Sequence, residues 1–331
     1  MTILRKTGNI LRRIPTIPIK ETPQQLEIDC DLLKRIPKIL HLYWDRSPMS
    51  ILQLLTPLTF HNENPEWEIN LYIPKQNYSG NSNYIPDYTG EDYFPLVKDL
   101  PFVNVVNIDI EEYGIRKDLH NILRSDIFRY HKLYEDGGVW SDFDVIWLKP
   151  IKHINDIEHV NKIDQIGMTV CFNKDSFGHH SIGILISEKN HLFYKHLIEQ
   201  ADIVQKKYKN LQILPYKNQK QQLFRKEQHF PHQSFGVVLW EKLGSNLIEF
   251  LNNYDSCLGI KYSTFYPYSI YDLKKLYLEE DMSVINKDVL CVHWFNGHEL
   301  SKEYINNRLF NKKCSMSTII NSISPDFKNI N

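Results

Sequence analysis

The chain has 331 residues, of which 42% are hydrophobic and 24% charged, and its formal net charge is −1. This composition is typical of a globular protein, and the near-neutral charge argues against general attraction to nucleic acid or an anionic membrane. The five cysteines are widely spread without a CxxC pair, which argues against a disulfide framework or a zinc site and favours reduced thiols. No run approaches the roughly 18 apolar residues of a transmembrane segment.

The first twenty residues carry five basic residues, no acidic residue and no apolar core of a signal peptide. We interpret residues 1–35 as a solvated N-terminal extension, with a membrane-surface or targeting role as the alternative. One domain is predicted over residues 36–320, since no linker-like composition divides it, and residues 321–331 are predicted to be a C-terminal tail.

Alternating strands and helices are predicted along this domain. Five apolar segments have the pattern of buried strands: 36–44, 66–73, 102–110, 167–172 and 182–187. Four segments are predicted to be helices: 50–65, where Pro57 disturbs the pattern; 116–136, with a stop at Gly137; 191–204; and 232–243. The alternation favours an α/β fold in which helices cover the faces of a mixed sheet.

Two aspartates, Asp142 and Asp144, interrupt the apolar stretch "VWSDFDVIWL". An ionised carboxylate is costly to bury unless a cation or several donors receive it. At a turn leaving a strand the two side chains can converge, and oxygen ligands of this kind suit Mg²⁺ or Mn²⁺ rather than zinc. The D-x-D pattern alone is weak, because the chain has 40 acidic residues.

The surroundings of this pair strengthen the metal hypothesis. The segment "RSDIFRYHKLYEDGGVWSDFDVIWLKPI" resembles the sugar-binding region of the DXD glycosyltransferases. It resembles in particular the α1,4-galactosyl- and N-acetylglucosaminyltransferases of the globotriaosylceramide-synthase type and, more distantly, the clostridial glucosylating toxins. The residues that match the family pattern are Ser125, Asp126, Arg129, Gly137, Gly138, Val139, Trp140, Asp142 and Asp144.

Further segments resemble this family in the same order along the chain. "IPKILHLYW" is similar to the opening strand that places an aromatic residue, here Tyr43 or Trp44, against the nucleotide base. "HQSFG", residues 232–236, resembles the family's H-Q-G-P but departs from it in its third and fourth residues. "TFYPYS" and "CVHWFNGHELS" resemble the C-terminal F-Y-P and H-x-W-N segments, with Phe295 in place of the tryptophan.

The resemblance implies a GT-A fold, with a mixed, mostly parallel central sheet flanked by helices, which binds a UDP-sugar. It implies transfer of a hexose or N-acetylhexosamine to an acceptor hydroxyl with retention of configuration, and Mn²⁺ or Mg²⁺ as cofactor. The implied metal ligands are Asp142, Asp144 and His293, and the implied catalytic residues are Asp126, Arg129, Asp142 and Asp144. The implied donor-binding residues are Tyr43, Trp44, Ser125, Asp126, Arg129, Gly137, Gly138, Trp140 and Asn296, and the implied acceptor-side residues are His232, Gln233 and Ser234.

Structural interpretations of the same residues remain open. Asp126 and Arg129 share a helix face and could form an intrahelical ion pair. Gly137 and Gly138 could serve as a helix cap and turn, and Trp44 and His293 could be core residues.

Two other functions also remain open. "DFDV" resembles the opening D-x-D of the phosphohydrolase pattern D-x-D-x-[TV], in which the first aspartate is a nucleophile. The departures at Ser234, Phe235 and Phe295 leave room for a non-catalytic nucleotide-sugar or glycan-binding protein. Secretory relatives carry an N-terminal anchor that this chain lacks, so a cytoplasmic location and a glycan, protein or small-molecule acceptor are expected. The Lys-, Ile- and Asn-rich composition suggests a viral or microbial origin.

Overall fold

A computed structural model describes residues 34–76, 88–119, 121–157, 168–173, 179–207, 235–236 and 257–323. For 168–173, 179–181, 207 and 257–259 only the backbone is described. The predicted acceptor-side residues His232, Gln233 and Ser234 lie outside the described residues, as do most of the predicted helix at 232–243 and of the two predicted terminal extensions.

The described strands form one large and one small sheet. They are β1 (Ile39–Tyr43), β2 (Glu68–Pro74), β3 (Val103–Ile108), β4 (Gly138–Ser141), β5 (Val145–Trp147), β6 (Met168–Asn173), β7 (His179–Ser187), β8 (Cys257–Lys261) and β9 (Cys291–His293). Seven strands form a sheet in the order β3-β2-β1-β4-β7-β6-β8, and β5 pairs antiparallel with β9. Within the large sheet only β7 runs antiparallel to its neighbours. The predicted mixed, mostly parallel sheet is therefore confirmed.

Helices cover both faces of this sheet. The described helices are α1 (Ile51–Glu63), α2 (Phe94–Lys98), α3 (Asn121–Glu135), α4 (Leu192–Lys207), α5 (Leu273–Tyr277), α6 (Glu299–Asn306) and α7 (Ser315–Ile323). Alternate residues of β1 point to opposite faces: Leu40 and Leu42 pack in a cluster with Phe60 of α1, whereas Tyr43 packs on Phe128 of α3. A third core cluster joins α1 to the C-terminal helices α5, α6 and α7. Every helix among the described residues is too short or too polar to cross a bilayer.

Helix α1 continues through Pro57, which was expected to disturb it. A proline inside a helix removes one backbone hydrogen bond and crowds the carbonyl of residue i−4. The start of α1 is fixed by Ser50, whose backbone N–H donates to the Gln53 side chain at 2.7 Å. The Thr56 hydroxyl lies 2.9 Å from the carbonyl oxygen of Phe143 and 2.8 Å from that of Val145. Helix α1 therefore anchors the loop that carries the two aspartates.

Gly137 ends α3 as predicted, and the glycine pair also allows β4 to lie against β1. Gly137 and Gly138 have φ values of 70° and 92°, which L side chains rarely adopt. A Cβ at Gly137 would lie 2.6 Å from the backbone nitrogen of Lys189, and one at Gly138 would lie 2.5 Å from the carbonyl oxygen of Ile39. We therefore assign the pair a structural role in the sheet.

Candidate functional site

A cavity of about 460 Å³ opens at the carboxyl ends of β1 and β4. These strands are parallel neighbours, and β2 and β3 continue the sheet on one side while β7 continues it on the other. Ligands of open α/β sheets bind where the strand order reverses in this way. The cavity volume falls within the usual range for small-molecule sites.

Most of the predicted site residues line this cavity. They are Tyr43, Trp44, Ser125, Asp126, Arg129, Asp142, Asp144, His293 and Asn296. Residues from the end of β1, from α3, from the loop after β4 and from β9 with the segment after it therefore meet at one place. Gly137, Gly138 and Trp140, which were expected to contact the donor, are outside the described lining.

Trp140 supports the site from within the core. Its side chain is buried, and its indole N–H donates to Oδ1 of Asp142 at 3.0 Å. The guanidinium of Arg129 lies over the same indole ring, 4.9 Å from its centroid. Trp140 thus orients the first aspartate instead of presenting its own face to the cavity.

Arg129 joins two carboxylates. Its Nη2 lies 2.9 Å from Oδ1 of Asp126 and 3.3 Å from Oδ1 of Asp142. The intrahelical ion pair that was left open as an alternative thus forms, and both partners also line the cavity. Burial raises the pKa of Asp126 to about 7, and Asp142 adds to this rise while Arg129 opposes it. Burial likewise raises the pKa of Asp142, again against the effect of Arg129.

Asp144 is held by the end of β9 and by the segment that follows it. The Nε2 of His293 lies 3.0 Å from Oδ1 of Asp144, and the backbone N–H of Asn296 donates to Oδ2 at 3.0 Å. Burial alone would raise the pKa of Asp144, but His293 and the Asn296 amide lower it below its ordinary value. Asp144 is therefore the more strongly ionised of the two aspartates.

The side-chain atoms around the two aspartates suit the binding of a divalent cation. Ligand atoms of Asp142, Asp144 and His293 all lie within 4.8 Å of one another. The side chain of Asp142 is 34% exposed, so a cation can reach it from the cavity. Among the described residues, the buried Oδ1 of Asn296 has no hydrogen-bond partner, and it adds another oxygen to the same lining. Carboxylate and amide oxygens are ligands that Mg²⁺ and Mn²⁺ accept.

The sequence did not predict the polar group between β1 and α3. Oδ1 of Asp45 accepts hydrogen bonds from the backbone and hydroxyl of Ser47, at 3.1 and 2.5 Å, and its Oδ2 accepts one from Asn121 at 2.5 Å. The indole N–H of Trp44 donates to the carbonyl of Ser47 at 2.7 Å, which fixes that ring at the cavity wall. The available signal was the position of Asp45 directly after a buried strand.

Gly183 of β7 was also missed. A Cβ at this position would lie 3.0 Å from the hydroxyl of Tyr266, 3.2 Å from Oδ2 of Asp142 and 3.3 Å from Nε2 of His293. The glycine carbonyl accepts the backbone N–H of Asp142 at 2.7 Å. A residue whose contribution is the absence of a side chain gives no chemical signal in a sequence.

Several solved structures are similar in outline. The PaToxG glycosyltransferase is 13% identical, with a TM-score of 0.41, over 76% of this chain and 79% of that chain. The ligand-free glycosyltransferase domain of the YGT toxin is 10% identical, with a TM-score of 0.43, over 68% of this chain and 80% of that chain. A glycosyltransferase involved in glycosylation of the major capsid of PBCV-1 is 11% identical, with a TM-score of 0.36, over 81% of this chain and 99% of that chain. At these values the likeness says nothing about substrate or mechanism.

Sequence comparison gives a partial match. A search of curated proteins found no matching sequence. Residues 62–167, less than half of the chain, match the model of the glycosyltransferase sugar-binding region containing the DXD motif. This span includes the helix and the loop that bring Asp126, Arg129, Asp142 and Asp144 together.

Proposed function

We propose that this protein is a metal-dependent glycosyltransferase of the GT-A type, which transfers a hexose or N-acetylhexosamine from a UDP-sugar to an acceptor hydroxyl. The observation that carries the proposal is the convergence of Asp142 and Asp144 in a cavity at the switch point of the sheet. The match of residues 62–167 to the sugar-binding region with the DXD motif supports it.

Asp142 and Asp144 would hold Mn²⁺ or Mg²⁺. When bound, such a cation supplies positive charge that stabilises the diphosphate as a leaving group. The protein's own contribution is to fix the two carboxylates before the donor arrives. Trp140 and Arg129 hold Asp142, while His293 and Asn296 hold Asp144.

The nucleoside would lie at the end of β1. Trp44 lines the cavity there with its indole N–H already bonded, and an aromatic face of this kind suits a uracil ring. Asp45 and Asn121 lie beside it and offer polar atoms to the ribose or base. The buried Oδ1 of Asn121 has no hydrogen-bond partner among the described residues, so a ligand donor would satisfy it.

The sugar would lie near Asp126. Arg129 already donates to the carbonyl of Ile182 and contacts Ser125, Asp126 and Asp142, so its role is to fix the carboxylates. Asp126 is then the residue that would accept a sugar hydroxyl.

The carboxylates of Asp126, Asp142 and Asp144 are each engaged by a donor group of the protein, which favours a mechanism without a protein nucleophile. We therefore propose retention by same-face attack, in which a phosphate oxygen of the leaving UDP accepts the proton of the acceptor hydroxyl.

The test is release of UDP from a panel of UDP-sugars, measured with Mn²⁺ and with EDTA. We expect at least one sugar to be hydrolysed with Mn²⁺ and hydrolysis to stop in EDTA and in Asp142→Asn. The exposed variant Asp99→Asn, outside the cavity lining, is the matched control and should keep activity. Undiminished hydrolysis in EDTA would refute the proposal. Calorimetric binding of a UDP-sugar without UDP release, with any acceptor, would identify a non-catalytic binding protein, and a trapped phosphoaspartate would identify a phosphohydrolase.

A further inference from the structure

The two ring nitrogens of His293 meet different kinds of partner. Nε2 lies 3.0 Å from the carboxylate oxygen Oδ1 of Asp144. Nδ1 receives the backbone N–H of Phe295 at 3.3 Å. One nitrogen therefore faces an acceptor and the other faces a donor.

This pairing determines where the ring proton lies. A backbone N–H can only donate, so Nδ1 of His293 must present its lone pair, and the proton of the neutral ring is then on Nε2. Nε2–H accordingly donates to Asp144. A flipped ring would put carbon atoms against Phe295 and Asp144, so both hydrogen bonds require the orientation observed.

The Phe295 N–H cannot easily turn away. Phe295 has a φ of 54°, in the left-handed region that a bulky residue adopts only when its surroundings enforce it. Its carbonyl accepts the backbone N–H of His298 at 2.9 Å, and the next residue, Asn296, is bonded to Asp144. The His293 ring is also packed against the ring of Phe295, with centroids 4.4 Å apart.

A metal-binding histidine has the opposite requirement. It uses the lone pair of one nitrogen for the cation and donates the N–H of the other nitrogen to a carboxylate, carbonyl or water. If His293 bound a cation through Nε2, its Nδ1–H would point at the Phe295 N–H, and two donors would oppose each other.

We infer that His293 is a positioning residue: its Nε2–H holds Asp144, and the cation is bound by oxygen atoms alone. The protein's oxygen ligands are then those of Asp142 and Asp144, and donor phosphate and water complete the shell. This inference rests on the proposed cation site, and it removes His293 from the ligand set that the family resemblance implied. An oxygen-only shell suits hard cations such as Mg²⁺ and Mn²⁺, whereas an imidazole ligand would shift preference towards later transition metals.

The first experiment uses Mn²⁺ and UDP with the full chain and its variants His293→Gln and His293→Ala. Glutamine can place an amide N–H near the position of Nε2, whereas alanine cannot. Mn²⁺ affinity, measured by electron paramagnetic resonance, should fall about 10–100-fold in His293→Ala and be largely retained in His293→Gln, since loss of an orienting partner has effects of this size. Circular dichroism checks that each variant is folded.

Spin-echo modulation of the bound Mn²⁺ then identifies its ligands. We expect no coupling to a directly bound histidine nitrogen in the wild-type complex. Such coupling in the wild type, lost in His293→Ala, would overturn the inference.

A second readout needs no metal. Nitrogen chemical shifts of ¹⁵N-histidine protein, assigned by comparison with His293→Gln, should show His293 as the Nε2–H tautomer, and an Nδ1–H tautomer would overturn the inference. If Mn²⁺ fails to bind even with UDP, the proposed function fails, while the tautomer measurement still decides the role of His293 towards Asp144.

Discussion

The guanidinium Nη2 of Arg129 lies 3.3 Å from Oδ1 of Asp142 and so joins helix α3 to the loop after β4. Burial favours the neutral form of Arg129, but Asp142 and Asp126 outweigh this effect and raise its pKa. Arg129 therefore stays charged and pairs with both carboxylates, while Asp144 is held separately. Arg129 supplies one positive charge beside the three carboxyl groups of Asp126, Asp142 and Asp144, so the site is suited to a further cation.

Arg129→Met should destabilise the fold strongly. The side chains of Arg129 and Asp126 are only 3% and 5% exposed, so removing the cation leaves the buried carboxylate of Asp126 unpaired, at a cost of about 3–5 kcal/mol. The control is Lys38→Met, which breaks an exposed pair with Glu66 and should cost less than about 1 kcal/mol. Urea unfolding followed by circular dichroism measures both, and equal losses would show that the buried pair has no special role.

Trp140→Phe should weaken binding at the site while leaving the fold nearly intact. The substitution keeps an aromatic ring but removes the N–H that orients Asp142. We expect Mn²⁺–UDP affinity to fall about tenfold, as for other orienting partners of metal ligands. Trp67→Phe, in the core against Phe60, is the control and should bind normally. If both variants bind like the wild type, Trp140 does not orient Asp142.

Gly183→Ala should impair cation binding through crowding. The new Cβ would lie 3.2 Å from Oδ2 of Asp142 and 3.0 Å from the Tyr266 hydroxyl, which is tighter than ordinary van der Waals contact. The carboxylate has to move away, so Mn²⁺ affinity in the presence of UDP should fall. The double variant Gly183→Ala/Tyr266→Phe removes the tightest contact and should regain part of that affinity. Titration calorimetry measures each variant, and wild-type affinity in Gly183→Ala would contradict the account.

His41 should make the fold less stable at acidic pH. It is buried between the carbonyl of Gly137, 2.6 Å from Nε2, and the hydroxyl of Tyr72, 2.9 Å from Nδ1. Burial lowers the pKa of His41 from 6.5 to about 4, so the unfolded chain takes up a proton at higher pH than the folded one. The contribution of His41 to the free energy of unfolding is complete above pH 6.5. As the pH falls towards 4, this contribution decreases by about 3 kcal/mol.

The free energy of unfolding at pH 7 and at pH 4.5 checks this expectation. Wild type should lose more stability than His41→Gln between these values, because the variant has no group that titrates in this window at that place. Equal losses in the two proteins would show that other residues cause the acid sensitivity.

Local patterns predicted much of the fold. The apolar runs at 36–44 and 102–110 contain β1 and β3, the run at 66–73 covers all of β2 except its last residue, and the helical period with its glycine stop corresponds to α3. Strands β5 and β9 were not predicted as a pair, because three-residue strands are too short to show periodicity and their partners are far apart in the chain.

The candidate site was predictable where its residues are close in sequence. Asp142 and Asp144 stand out because carboxylates interrupt an apolar run, and Asp126 and Arg129 share a helix face. The contact between Asp45 and Asn121 depends on the packing of β1 against α3, and the position of Asp45 after a buried strand does not reveal this partner. Trp140, predicted to bind the donor, is buried and lies outside the described lining of the cavity, and its neighbours in sequence do not show which face of β4 it takes.

The most direct test of the central claim is calorimetric titration of UDP into the wild-type protein and Asp144→Asn, with Mn²⁺ and with EDTA. We predict that UDP binds the wild-type protein only when Mn²⁺ is present, and that Asp144→Asn loses this binding while remaining folded. Equal UDP affinity in EDTA, or in Asp144→Asn with Mn²⁺, would contradict a cation held by the aspartate pair.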